Sequence, residues 1–134
     1  MRKIKKNLAS IIIVNYNNAQ YLSKSINSVL RQGYKYKEII VVDDNSNDHS
    51  IKILKKFEGK IKIIKNKKKT KTGSYNQINC YYLGFSKSKG KVIFFLDSDD
   101  YFSNRKISEV MNFFKKKKTS QILFDLPIII NKNK

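Results

Sequence analysis

At 134 residues the chain is long enough for one domain with a real core, and short for a complete enzyme of many classes. Its single cysteine, Cys80, excludes an intrachain disulfide and fits a reducing, cytoplasmic setting, while no apolar run approaches the ~18 residues of a membrane span. The formal charge of +19 comes from 29 basic residues, only three of them arginine (Arg2, Arg31, Arg105). Arginine is the residue that reads phosphates and bases bidentately, so its scarcity argues against specific nucleic-acid recognition. No helix-turn-helix or zinc pattern is present either. Lys, Ile and Asn are what AT-rich codons supply, which accounts for much of the charge. What remains points to anionic membrane surfaces, polyanionic substrates or, on charge alone, nucleic acid.

In chain order, residues 1–7 are basic and 8–14 apolar, which mimics a short signal peptide. Polar Asn15, Tyr16, Asn17 and Asn18 follow with no small-residue cleavage site, so 11–14 reads as a buried strand. Leu22, Ile26, Val29 and Leu30 then recur on one helical face, with Gly33 as a stop. Residues 39–42 make a second strand. Asn47 or Asp48 caps a helix carrying Ile51, Leu54 and Phe57, with Gly59 near its end. Residues 61–64 make a third strand, and 66–73 a lysine-rich loop. The next helix sets Ile78, Tyr82 and Phe85 on one face, with Gly90 after it. Residues 92–96 make a fourth strand. Ser103 or Asn104 starts a helix with Ile107, Val110, Met111 and Phe114, and 121–124 is a fifth strand. Strands alternating with helices predict an α/β fold: a mostly parallel sheet with helices on both faces. The apolar run of Ile128, Ile129 and Ile130 looks unfinished, as in a truncated gene product, a fragment, or a surface that needs a partner.

Acid placement carries the functional signal. The chain has ten acidic residues, and six of them fall in two clusters. Asp43, Asp44 and Asp48 follow the second strand; Asp97, Asp99 and Asp100 follow the fourth. Ligands of open α/β sheets bind outside the carboxyl ends of the strands, so neighbouring acidic strand ends would form one site. In Asp97-Ser98-Asp99 an extended backbone points both carboxylates the same way, and they could share a hard divalent ion. Asp and Ser are also common turn and capping residues, so this tetrad alone leaves a capped turn equally open.

Four blocks carry a resemblance: residues 10–17 (SIIIVNYN), 26–32 (INSVLRQ), 38–46 (EIIVVDDNS) and 95–100 (FLDSDD). Together they resemble the N-terminal half of family 2 glycosyltransferases, inverting enzymes of the GT-A fold, over residues from about 8 to 105. The resemblance implies a single, incomplete GT-A domain over 1–134 whose residues 8–105 are the nucleotide-sugar-binding half. It implies that Val14 and Tyr16 cradle the base, and that Asp44, with Asp43 beside it, contacts base or ribose. It further implies that Asp97, Ser98 and Asp99 stand at the diphosphate, with Asp97 and Asp99 holding Mg²⁺ or Mn²⁺. A nucleoside diphosphate leaving group develops negative charge that a cation stabilises. The implied reaction transfers a sugar, most simply from a UDP-sugar, to a glycan or lipid-linked acceptor in cell-surface polysaccharide synthesis. Its implied setting is the cytoplasm, with peripheral contact at the inner face of the membrane.

The chain also departs from the family. Many members carry Arg-Asn-x-Gly in the helix before the fourth strand, where this chain has Tyr81-Tyr82-Leu83-Gly84. Lys71 is a candidate phosphate-facing cation, although a loop lysine is ordinarily just solvated. The family's general base lies downstream of the Asp-x-Asp, and neither Asp125 nor His49 reads as that base. A catalytically inactive nucleotide- or metal-binding fragment, or a module completed by a partner chain, is therefore the second reading. A phospho-acceptor receiver domain would need a lysine after the fifth strand, where Asp125 stands. A dinucleotide-binding dehydrogenase would need Gly-x-Gly-x-x-Gly after a strand, and none follows.

Overall fold

Four runs rich in β-branched and aromatic residues become four strands: those at 11–14 and 39–42 are buried on both faces and take the middle of a covered parallel sheet, while those at 62–65 and 92–96 take its edges. The computed structural model describes residues 3–67, 72–117, 119 and 122–123. Its strands are β1 (Lys5–Asn15), β2 (Lys37–Asp43), β3 (Lys62–Lys65) and β4 (Gly90–Asp97), in the order β3-β2-β1-β4. Every pairing is parallel, with Ile11 beside Ile39 on one side and Phe94 on the other. Parallel pairing requires crossovers, and α1 (Ala19–Leu30), α2 (Ser50–Lys55) and α3 (Gly73–Lys87) supply them; α4 (Lys106–Lys116) follows β4.

The side-chain period of two sorts β1 into two cores. Ile11 and Ile13 face α1, α2 and α4, packing with Leu22, Ile26, Val29, Leu54, Phe94, Leu96, Ile107 and Val110. Ile12 and Val14 face the other way, toward Ile40, Val42 and Cys80. Ile11, Ile12 and Ile13 are fully buried, and burying each such side chain contributes ~1.5–3 kcal/mol. The α/β expectation therefore holds, with helices on both faces of an all-parallel sheet.

Three local expectations change. β1 begins at Lys5, well before residue 11, because the basic start pairs with the beginning of β4, Lys5 opposite Gly90. α2 is a short helix that ends before Phe57. The largest correction concerns α3: Ile78 and Tyr82 are 63% and 70% exposed, and Phe85 is exposed as well, so the expected apolar face looks outward. Cys80 and Gly84 face the sheet instead. A Cβ on Gly84 would lie 2.5 Å from Ile12 Cγ2 and 3.2 Å from Val42 Cγ2. The small residues let the helix backbone sit directly on the sheet, a contact that hydrophobic periodicity does not register. Of the expected fifth strand, Ile122 and Leu123 lie outside any strand; its other residues, like Lys71, Asp125 and 128–130, fall outside the described residues.

Candidate functional site

β1 ends at Asn15, and the chain must turn there. Asn17 takes a left-handed backbone conformation (φ 51°), as does Asn45 (φ 60°) after β2; Asn tolerates this better than most residues. The two loops are then stitched together. The Asn17 backbone N–H donates to Ser46 Oγ (3.0 Å), and the Asn47 N–H donates to Asn17 Oδ1 (2.9 Å). Asp43 is wholly buried beneath them and accepts from Asn15 Nδ2 (2.9 Å), the Ser46 N–H (3.0 Å) and Ser46 Oγ (2.7 Å). Asp48 reaches sideways: Oδ2 accepts from the Ala19 N–H (2.9 Å) and Oδ1 from the Ser50 N–H (2.8 Å), so one carboxylate serves the start of both α1 and α2. Burial works against its charge, yet these hydrogen bonds outweigh it and hold the carboxyl below its ordinary range.

Above this scaffold opens a cavity of about 530 Å³ lined by Val14, Tyr16, Asn18, Asp44, Gly73, Asn76, Gln77, Asp97, Ser98 and Asp99. The two acidic clusters are not on adjacent strands, as simple neighbourhood would require. They flank β1 from either side, Asn15 opposite Asp43 and Val14 opposite Asp97, so both reach the mouth of the central strand. Five of the six residues implied to meet a nucleotide sugar (Val14, Tyr16, Asp44, Asp97, Ser98) line this cavity, and so does Asp99. Asp43 does not; it sits below, organising the loops.

The cavity walls differ in chemistry. On the β2 side, Asp44 Oδ1 accepts from Asn66 Nδ2 at 2.8 Å. Cys80 lies against this pair, and burial, followed by the Asp44 charge, pushes its thiol up to about 12, which keeps it a neutral filler. On the β4 side, Ser98 is buried, accepts from Asn18 Nδ2 (3.0 Å) and donates its N–H to the Val14 carbonyl (3.1 Å). Asp97 Oδ1 accepts from Gln77 Nε2 (3.0 Å) and Tyr81 Oη (2.5 Å). Burial and the hydrogen bond to Asp97 push the Tyr81 phenol up, so it stays protonated as a donor. Asp100 is raised by burial and then by the charges of Asp99 and Asp97.

Among the described residues, no three His, Cys, Asp or Glu side chains are grouped to hold a metal on their own. Asp97 and Asp99 together offer two carboxylates on one cavity wall. An all-oxygen pair fits a hard cation that completes its shell with phosphate oxygens and water, and does not fit an ion that needs a full protein cage. Asn18, Gly73, Asn76, Gln77 and Tyr81 were not expected at the site. Gln77 and Tyr81 stand four residues apart on α3, and that spacing was the available signal.

Comparison with known proteins decides the family. The model of glycosyl transferase family 2 matches residues 10–134. This chain belongs to glycosyl transferase family 2. An uncharacterized glycosyltransferase, alr2836, of Nostoc sp. is 35% identical over 129 residues, covering 93% of this chain and 38% of the relative. The UDP-Glc:alpha-D-GlcNAc-diphosphoundecaprenol beta-1,3-glucosyltransferase WfaP of Escherichia coli is 38% identical over 111 residues, covering 83% and 43%. The crystal structure of S. aureus TarS 1–349 in complex with UDP-GlcNAc superposes with a TM-score of 0.70 at 24% identity, covering 81% of this chain and 31% of that one. The family member thus shares the GT-A fold and spans less than half the length of these relatives. No helix among its described residues is long and apolar enough to cross a membrane.

Proposed function

We propose that the cavity binds the nucleoside diphosphate of a nucleotide sugar, and that the chain is the donor half of an inverting, Mg²⁺- or Mn²⁺-dependent glycosyltransferase. One observation carries this reading. A single cavity at the end of the central strand has an exposed aromatic, Tyr16, and a carboxylate, Asp44, on one side and the Asp97/Asp99 pair on the other. The first pair suits a planar base with N–H donors, and the second suits a cation and the diphosphate beside it. Membership in family 2 and the UDP-sugar in the name of the WfaP relative favour UDP as the nucleotide.

The residues divide the work. Tyr16 offers a ring face to the base, and Asp44, braced by Asn66, offers its carboxylate to a base or ribose donor. Ser98, clamped by Asn18 and the Val14 carbonyl, fixes the turn that presents Asp97 and Asp99. Those two carboxylates would hold the cation, which supplies charge stabilisation for the departing diphosphate. The first turn of α3 contains no acidic residue and its Gly73 and Asn76 line the cavity, so nothing there repels phosphate. Inversion requires a base on the face of the sugar opposite the diphosphate; none of the cavity residues is assigned that role. The acceptor is proposed to be a glycan or lipid-linked sugar, met in the cytoplasm at a membrane surface that the lysine-rich exterior favours.

A melting-temperature panel tests the reading. UDP, GDP, CDP and TDP are each added with Mn²⁺ to the 134-residue chain, and binding to the folded state raises Tm by mass action. UDP is expected to give the largest rise. No rise with any of the four would sink the donor-site reading.

A further inference from the structure

Gln77 and Tyr81 lie one turn apart on the same face of α3, and both donate to the same atom, Asp97 Oδ1. A carboxylate oxygen has about two lone-pair directions, so Oδ1 is filled. Asp97 lines the cavity, and among the described residues no donor reaches Oδ2, which is the oxygen left for a ligand. The arrangement is braced. The Tyr81 ring meets Phe95 edge-on, centroids 5.0 Å apart and planes at 81°, and Phe95 sits on the same face of β4 as Asp97, two residues before it. Gly84 brings the helix close enough to the sheet for a phenol on α3 to reach the end of β4. Both donors are neutral, so Asp97 is oriented without its charge being cancelled.

Divalent ions differ in what they accept from such a carboxylate. Ca²⁺ takes six to eight oxygens and readily accepts both oxygens of one carboxylate, whereas Mg²⁺ demands a near-ideal octahedron. We propose that Gln77 and Tyr81 are positioning residues that restrict Asp97 to one-oxygen coordination through Oδ2, and so bias the site toward small octahedral cations, Mg²⁺ or Mn²⁺, over Ca²⁺. This rests on the donor-site reading above.

The experiment measures UDP affinity of the 134-residue chain by calorimetry with Mg²⁺, Mn²⁺ or Ca²⁺, for the wild type, Tyr81→Phe and Gln77→Leu. The readout is the Mg²⁺-to-Ca²⁺ preference within each protein, not turnover. Tyr81→Phe frees Oδ1 to join Oδ2 at Ca²⁺ while loosening Asp97 at Mg²⁺; with the loss of a ligand-orienting group, typically 10–100-fold in affinity, falling mainly on Mg²⁺, the preference is expected to drop by about tenfold. Gln77→Leu should lower it by less, because the shorter bond from Tyr81 remains. An unchanged preference in both variants overturns the proposal. So does a uniform loss with all three cations, which marks a purely structural role. If Tyr81→Phe shows no cooperative melting, Gln77→Leu, at an exposed position, decides alone. A wild type that binds UDP with none of the cations removes the donor-site reading and this proposal with it. A wild type that binds while both variants keep its preference removes only the positioning role.

Discussion

The end of β2 and the end of β4 carry three aspartates each, and the fold treats them in opposite ways. After β2, Asp43 and Asp48 have their oxygens taken by the chain's own donors: Asn15 and Ser46 for the first, two helix N-termini for the second. After β4, one oxygen of Asp97 is held from α3, and Asp100 nearby is raised by burial and then by the charges of Asp99 and Asp97. A carboxylate whose hydrogen bonds are supplied from within is part of the scaffold. Carboxylates that line the cavity beside others of like charge keep oxygens that the fold does not use, and these are available to a ligand. Asp44 stands between the two cases, since Asn66 holds one of its oxygens while its side chain lines the cavity.

The largest break in this contrast should come from Asp43→Ala. It removes a wholly buried carboxylate and orphans three donors. Hydrogen bonds to charged groups run ~1.5–3 kcal/mol each and do not add, so a loss of about 3 kcal/mol is expected in denaturant unfolding. A loss below ~1 kcal/mol would mean that Asp43 is not scaffold.

A smaller effect separates the clusters by pH. Asp48 is held below its ordinary value of 3.8 in the folded state. It therefore contributes stability that is present above the unfolded value and lost as pH falls through the folded one. Asp100 is raised above 3.8, so its penalty is present at neutral pH and relieved as pH falls through its folded value. Asp48→Asn should thus lower Tm at pH 7 and Asp100→Asn should raise it, with both differences shrinking toward pH 3. Shifts of the same sign would erase the distinction between a capping carboxylate and a repelled one.

Much of this was legible in the sequence because parallel strands buried on both faces advertise themselves as continuous apolar runs, and strand ends then locate the acids. The runs at 11–14, 39–42 and 92–96 sit inside β1, β2 and β4. Less legible was which way α3 faces. Periodicity favoured its large side chains, Ile78, Tyr82 and Phe85, whereas close approach to the sheet required small ones, Cys80 and Gly84. That reversal is also what hid the site residues of α3, since Gln77 and Tyr81 reach Asp97 only once Gly84 is against the sheet. The roles of Asp43 and Asp44 were likewise inseparable in sequence: they are adjacent, but alternation sends one beneath the loops and the other into the cavity.

On the proposed reading, the β4 cluster, and not the β2 cluster, would hold a cation beside a nucleoside diphosphate. The most direct test is calorimetric titration of UDP into wild type and Asp99→Asn, each with and without Mn²⁺. Mn²⁺ is expected to tighten UDP binding to the wild type, and Asp99→Asn is expected to keep its metal-free affinity while the Mn²⁺-dependent gain disappears. An Asp99→Asn protein whose UDP affinity still rises with Mn²⁺ as in the wild type would contradict that reading.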